Sequence, residues 1–169
     1  MKHFPTGTLT LGMLNAYLDM LAQVENFKPD MILLDYMTLM HLDIRDQRVS
    51  ISQLGRLLRG MGDIRNCAMV TVLQANRLAV GKKWITSANV AEDWSLPGTA
   101  DVFLTYNQTA FEQGLHVARI FVDKARNAQA KWSAFITQAY EIGQFCLDSV
   151  YMKDMKDQLI EPPDLPDEP

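Results

Sequence analysis

The sequence predicts an α/β fold, in which a mostly parallel sheet is flanked by helices and the chain ends in antiparallel hairpins. Two short apolar segments, 31–34 and 67–73, alternate with two longer segments whose apolar residues recur at helical spacing. Short, continuous apolar runs are typical of parallel strands covered on both faces, and the strand–helix–strand order predicts right-handed crossovers. Beyond residue 100, strand-length segments separated by polar turns predict the hairpins.

The first half of the chain accounts for the parallel part. Apolar residues at helical spacing predict one helix over 11–24 and a second over 47–61. The first helix ends before Pro29, because proline disfavours a helical conformation in the residue that precedes it. The strand 31–34 follows directly, and Gln74 comes after the second strand.

The second half is predicted to begin with a long loop over 79–98 around a short helix. This stretch is rich in Gly, Lys, Ser, Asn and Pro and has no clean period. Strands follow it, with a polar turn at 107–114 and another turn at 127–131. The four predicted strands are 101–106, 115–123, 132–137 and 144–147.

Composition places the protein among soluble globular domains. With 48% hydrophobic and 21% charged residues, the chain of 169 residues is one domain's worth of protein and can bury a core. Its longest apolar runs are strand-length, and residues 1–5 lack the apolar core of a signal peptide. We therefore expect a cytoplasmic protein with no membrane contact.

The domain is expected to cover residues 1–152 and to leave an acidic, proline-rich tail at 153–169. The last nine residues contain four acids and no base, a composition that predicts disorder. Two interpretations of the tail stay open. It is either a solubilising terminus, or a peptide that docks on a basic partner or competes with nucleic acid for a basic surface.

Polar residues follow both apolar strands, where ligands of parallel sheets gather. Asp35, with Tyr36 behind it, ends the first strand, and Gln74 ends the second. A carboxylate there can hold Mg²⁺ while phosphates complete the shell, and a glutamine amide can sense a γ-phosphate or an attacking water. The alternatives are an aspartate that caps the next segment or takes a salt bridge, and a glutamine that bonds a neighbouring backbone group.

Lys124 and Arg126 lie at the end of the strand predicted over 115–123. Alternate positions of an extended chain point to the same side, so we expect the two cations to project together. Two fixed cations suit the charge that builds up on a transferring phosphoryl group, and the planar guanidinium matches phosphate oxygens. The alternative is an exposed basic turn.

The long loop carries a further group of candidates, Arg77, Lys82, Lys83 and Trp84, with Gly81 among them. A flexible glycine, cations and an aromatic ring suit contact with a strand of nucleic acid, through phosphate neutralisation and base stacking. Trp84 has an alternative role, because its ring can pack under the loop.

No other chemistry stands out. The three histidines are scattered without ligand spacing, and no Ser/His/Asp or Cys/His arrangement is visible. The sequence also contains no P-loop pattern Gly-x-x-x-x-Gly-Lys-[Ser/Thr].

Taken in order, five segments resemble the C-terminal half of a RecA-like ATPase of the DnaB-type replicative helicase group, closest to phage versions. They span nearly the whole chain up to about residue 152. They are 2–7, 28–37, which resembles a Walker B strand, 72–77, which is similar to the family's glutamine motif, 98–104, and 123–127, which looks like its Lys-x-Arg-Asn arginine-finger segment.

The resemblance implies ATP and Mg²⁺ as cofactors, with Asp35 and Tyr36 at the nucleotide and Asp35 supporting the metal. Gln74 would couple the γ-phosphate to the DNA-binding loops. Lys124 and Arg126 would reach the nucleotide of the adjacent subunit in a homo-oligomeric ring.

The resemblance also implies single-stranded DNA as a partner, which the segment 82–95 would face in a central channel. Two positions depart from the family pattern. Ala128 replaces the glycine that usually follows the finger, and 94–96 is less polar than in the family.

In this family the P-loop and the catalytic glutamate lie upstream of the segments matched here. The chain is therefore expected to begin after them and to be inactive as an ATPase by itself. The leading hypothesis is the C-terminal portion of an ATP-driven replicative DNA helicase, which works with a P-loop-bearing N-terminal half or parent chain. The alternatives are a catalytically inactive RecA-like module that binds DNA or a partner, and part of a recombinase or circadian-clock-type ATPase.

Overall fold

The chain folds into two units, each with its own sheet. In the computed structural model, the first unit contains residues 1–76 and 90–100, and the second unit contains residues 77–89 and 101–169. The predicted acidic tail, 153–169, lies outside the described residues. The structure describes residues 1–42, 47–79, 82–89 and 95–152.

The first unit combines helices with a two-stranded parallel sheet. Strand β1 (Met31–Leu34) pairs with β2 (Ala68–Thr71). Helix α1 (Leu11–Val24) precedes β1, and α2 (Gln47–Arg65) connects the two strands. A short helix, α3 (Ser95–Thr99), completes the unit. The parallel pairing and both long helices confirm the predicted strand–helix–strand order.

Both long helices have clear local determinants. Helix α1 begins after Thr10, whose hydroxyl accepts a hydrogen bond from the Met13 N–H at 3.1 Å and so satisfies an unpaired donor of the first turn. Helix α2 continues beyond the predicted end at residue 61 to Arg65. The Arg65 guanidinium donates to Asn15 Oδ1 at 2.8 Å and pairs with Asp19 at 2.7 Å, which links the end of α2 to α1.

The core of the first unit lies against one face of its sheet. Ile32, Leu34 and Met69 pack against the buried residues from that face. At Gly62 of α2, a Cβ would lie 2.9 Å from Met69 Cγ, so glycine permits this close approach of helix and strand. The buried core residues are Leu9, Leu14, Leu18, Met37, Met40, Leu54, Leu58, Met61 and Leu96.

The other face of this sheet is exposed, which differs from the prediction. Met31 and Leu33 of β1 and Val70 of β2 are exposed, whereas the residues that alternate with Met31 and Leu33 are half-buried. Continuous apolar runs predicted strands covered on both faces. Within the described residues, only one face is covered.

The second unit is built on an antiparallel sheet in the order β3-β4-β5-β6, which confirms the predicted hairpins. The mixed α/β class is confirmed as well. However, four of the six described strands are in this antiparallel sheet, where the sequence predicted a mostly parallel one. Short turns join these strands directly, so no helical crossover is needed. The strands are β3 (Val102–Asn107), β4 (Val117–Ala125), β5 (Trp132–Ala139) and β6 (Gln144–Met152).

A helix occupies part of the segment that was predicted as a polar turn at 107–114. Helix α4 (Ala110–Gly114) begins with a capping box. The Thr109 hydroxyl accepts from the Glu112 N–H at 3.2 Å, and the Glu112 carboxylate accepts from the Thr109 N–H at 2.8 Å. The pattern Thr-x-x-Glu is visible in the sequence and is the signal from which this helix could have been predicted.

The long loop contains two short 3₁₀ turns, Arg77–Ala79 and Ser87–Asn89, before α3 begins. This agrees with the predicted loop around a short helix, although its residues 80–81 and 90–94 lie outside the described part of the chain. In the described ranges, no helix has the length and apolar character needed to cross a bilayer.

Candidate functional site

The turn after β1 holds Asp35 and Tyr36 and is tied to the end of β2. The Thr71 hydroxyl donates to the Leu34 carbonyl oxygen at 3.0 Å and accepts from the Met37 N–H at 3.0 Å. The Asp35–Tyr36 peptide bond is cis, and both side chains are exposed. One threonine of the neighbouring strand therefore holds the backbone on both sides of this turn.

Gln74 lies at the same edge of the sheet as Asp35. The register places Leu34 opposite Thr71, so the carboxyl ends of β1 and β2 are level. Asp35 follows β1 directly, and Gln74, which is exposed, comes shortly after β2. The sequence predicted that both polar residues lie at the carboxyl edge of the sheet, and the structure places them there.

Asp35 provides one carboxylate at this edge. Among the described residues, no three His, Cys, Asp or Glu side chains come together in a way that could hold a metal ion. Mg²⁺ commonly takes one or two carboxylates and completes its shell with water and phosphate oxygens. An exposed carboxylate on a hydrogen-bonded turn therefore fits a metal that arrives with a nucleotide, and not one held by protein ligands alone.

Lys124 and Arg126 lie in the second unit. Lys124 is opposite Phe103 at an irregularity in the register of β3 and β4. Arg126 follows β4, and its backbone N–H donates to the Asp101 carbonyl oxygen at 2.8 Å. Its side chain pairs with the Asp101 carboxylate at 3.1 Å, with both groups about half exposed. Ion pairs so exposed contribute little to stability, so the guanidinium can exchange this partner for another anion.

The cations of the long loop also belong to the second unit. Arg77 and Lys82 are exposed, and Lys83 is half-buried. Arg77 is the first residue of a 3₁₀ turn, whereas Lys82 and Lys83 come just before the segment that packs on the sheet. The two lysines are therefore neighbours of a well-held stretch of backbone.

Trp84 packs beneath this loop. Its ring meets Phe121 edge-on, with the ring centroids 5.4 Å apart, and the Arg119 guanidinium carbon lies 4.4 Å from its centroid. Both contacts engage the indole ring. Packing under the loop was the alternative to base stacking in the sequence analysis, and it is the arrangement that the structure shows.

The cation beside Trp84 is the largest of the fully buried side chains that the structure describes. Arg119 Nη2 donates to the Glu112 carboxylate at 2.7 Å, and this buried carboxylate also caps α4. Arg119 Nε and Nη1 have no hydrogen-bond partner among the described residues. The sequence carried no signal for this pair, because an arginine within a strand is ordinarily exposed.

Two polar side chains of β3 hold the loop through Ile85. The Ile85 N–H donates to Asn107 Oδ1 at 2.6 Å, and the Ile85 carbonyl oxygen accepts from the Thr105 hydroxyl at 2.8 Å. Both side chains are buried. Together they satisfy the two backbone groups of one loop residue, which fixes the path of the chain after Trp84.

A buried acid of β4, Asp123, holds the same loop further along. Its carboxylate accepts hydrogen bonds from the Ser87 N–H at 2.6 Å and from the Lys131 ammonium group. Burial by itself raises the pKa of Asp123, but the hydrogen bonds from Lys131 and Ser87 outweigh burial and hold that pKa below its ordinary value. The charged form of Asp123 is therefore the one that fits this site.

Comparison with known proteins identifies the fold. No protein-family model matches the sequence, and no curated protein matches it either. A solved ATPase domain of the DnaB-like helicase group has a TM-score of 0.71 at 16% identity, over 82% of this chain and 51% of that one. A DnaB-like replicative helicase, solved in a study of its interactions with primase, has a TM-score of 0.69 at 14% identity, over 81% of this chain and 34% of that one.

The chain therefore spans about half or less of the length of these structures. At such low sequence identity, the likeness is one of fold. The chain has the RecA-like α/β fold found in the ATPase domains of DnaB-like replicative helicases.

Proposed function

We propose that this chain is the C-terminal portion of an ATP-driven replicative DNA helicase and carries its Walker B strand, glutamine sensor and arginine-finger segment. The observation that carries the proposal is the placement of Asp35 and Gln74 at one edge of paired parallel strands, in a chain with the fold of helicase ATPase domains. Ligands of open α/β sheets bind at that edge.

In this proposal, Asp35 and Tyr36 face the nucleotide, and Asp35 supports Mg²⁺ bound to its phosphates. The two hydrogen bonds of Thr71 hold the turn that presents Asp35. Bound Mg²⁺ would neutralise charge that develops on the phosphoryl group. Gln74, whose amide both donates and accepts, would couple the γ-phosphate to the DNA-binding loop. A P-loop from an N-terminal half or parent chain would complete the phosphate site.

Lys124 and Arg126 would serve the nucleotide of the neighbouring subunit in a homo-oligomeric ring. The exposure of the Arg126–Asp101 pair supports this role, because a screened ion pair can give way to phosphate oxygens. Arginine binds such oxygens through two parallel N–H groups.

Single-stranded DNA would lie along the long loop. Arg77, Lys82 and Lys83 would neutralise its phosphates. Trp84 was a candidate for base stacking. Its contacts with Phe121 and Arg119 support a positioning role, in which the ring holds the loop rather than a base.

The ATPase proposal predicts turnover that depends on Asp35. The chain by itself should hydrolyse no ATP, and the chain assembled with a P-loop-bearing polypeptide should hydrolyse Mg-ATP. Asp35→Ala should abolish that turnover, and Arg126→Ala should lower kcat by about 10³-fold or more. Asp63→Ala, which removes an exposed carboxylate of α2, should leave kcat unchanged. Rapid hydrolysis by the isolated chain, or full activity of the assembled Asp35→Ala variant, would refute the proposed site.

The DNA proposal predicts a salt-dependent loss of affinity. The double variant Lys82→Ala/Lys83→Ala should bind single-stranded DNA more weakly, and its slope of log K against log salt should fall by about 1.4, since each phosphate contact contributes about 0.7. Fluorescence anisotropy over a salt series measures both quantities. Lys28→Ala, in the first unit, is the matched control. An equal effect of the control and the double variant would show general electrostatics instead of a loop contact.

The absence of a P-loop pattern from the sequence favours one alternative, a catalytically inactive RecA-like module that binds DNA or a partner. It shares the loop contacts but needs no nucleotide. Unwinding of a forked duplex by the assembled protein separates the two functions, and it also separates a helicase from part of a recombinase or circadian-clock-type ATPase.

A further inference from the structure

The outer face of the β1–β2 sheet has the composition of a protein interior but lies at the surface. Leu33 is 71% exposed, Val72, which follows β2, is 60% exposed, and Met31 is 56% exposed. Val70 is exposed beside them. We call these four residues the outer patch. Neither strand contains a charged residue within its bounds.

Parallel sheets are ordinarily covered on both faces, and two strands alone do not make a stable sheet. The inner face of this sheet packs on the core of the first unit. The outer patch therefore lacks, among the described residues, the cover that its strand type requires. Without cations, the patch is also unsuited to nucleic acid, whose binding depends on phosphate contacts.

The dimensions of the similar structures point to the kind of partner. This chain corresponds to 51% of the similar ATPase domain, so about half of that domain has no counterpart here. In α/β folds of this kind, strands are added beside strands and helices pack on the sheet faces. An additional strand and its helix are therefore the elements that suit an apolar patch beside an open parallel strand.

We propose that the outer patch is the docking surface for a separate polypeptide that carries a P-loop strand and helix. This inference rests on the proposed function, which requires phosphate-binding elements that the sequence does not contain. The helix would cover Leu33 and Val70. Its partner strand would extend the parallel sheet, so that its own carboxyl end reaches the edge where Asp35 and Gln74 lie.

The probe is the P-loop-bearing polypeptide encoded nearest to this chain, co-expressed with it and measured by affinity purification and isothermal titration. We expect a 1:1 complex. Leu33→Lys and Val70→Lys should each weaken it about 10-fold or more, because each places an ammonium group in an apolar interface. Ile64→Lys, which changes an equally exposed apolar residue of α2, should leave the affinity unchanged. All three positions are exposed, and circular dichroism of each variant verifies its folding.

Several results would overturn the docking surface: no complex, equal binding by all three variants, or a P-loop that is continuous with this chain in one reading frame. The docking surface and the proposed function can fail separately. A complex that depends on Leu33 but does not hydrolyse Mg-ATP retains the docking surface and contradicts the ATPase. Hydrolysis that is unimpaired by Leu33→Lys and Val70→Lys retains the ATPase and contradicts the docking surface.

Discussion

Arg119 shows how a single buried charge organises the second unit. Its guanidinium pairs with Glu112, which caps α4, and it lies over Trp84, which begins the stretch of loop that packs on the sheet. A helix, a strand and a loop thus meet at one side chain. Removing a charge from water is costly, and the cost is offset only while the partner and its hydrogen bonds are present.

This pair predicts a non-additive response to mutation. Glu112→Leu or Arg119→Met alone should lower the free energy of unfolding by about 3–5 kcal/mol, because each leaves an uncompensated buried charge. The double variant should recover most of that loss and retain a deficit of about 1 kcal/mol from the missing helix cap. Urea unfolding of the whole chain measures all three. If the two single losses simply add in the double variant, the pair is not coupled as the geometry requires.

At the scale of elements, the long loop depends on buried polar groups and not on apolar contacts alone. Asp123 accepts hydrogen bonds from Ser87 and Lys131, and its pKa lies below the ordinary value. As the pH falls, the unfolded state therefore takes up the proton first. The stabilising contribution of Asp123 is complete above the pKa of the unfolded chain, about 3.9, and is lost as the pH falls through the lower pKa of the folded state.

The corresponding test compares the chain with its Asp123→Asn variant. At pH 7 the variant should be less stable, because the charged acceptor of Ser87 and Lys131 is lost. Below a pH of about 3.9 the difference in the free energy of unfolding should shrink. Denaturant titrations from pH 7 to about 2.5 measure it, with Asp63→Asn as the control. A difference that stays constant over this range would show that the protonation of Asp123 is not linked to folding.

The elements themselves were largely predictable. Apolar spacing located α1 and α2, and the continuous runs located β1 and β2, because these patterns reflect local geometry. The capping box that begins at Thr109 was a local signal for α4 that remained unused. The β4 strand was predicted close to its observed position, but its buried charges, Arg119 and Asp123, were not, since burial depends on what packs against the strand.

At the scale of the whole molecule, the outer patch dominates the surface of the first unit. Contiguous exposed apolar residues mark interaction sites and favour self-association when the partner is missing. The isolated chain should therefore aggregate at a lower concentration than its Leu33→Lys variant, whose added charge disrupts the patch. Light scattering over a concentration series measures the onset. Ile64→Lys should change it less, and an equal effect of both variants would assign aggregation to general hydrophobicity.

The sequence by itself determined the mixed α/β class, the position of Asp35 after an apolar strand and that of Gln74 after the next one. These features follow from residues adjacent in the chain. Tertiary structure alone decided that Trp84 packs on Arg119, that Arg126 pairs with Asp101, and that one face of the first sheet is left open. The physical reason is that hydrogen bonding and periodicity act locally, whereas burial depends on segments distant in the chain, which no local pattern specifies.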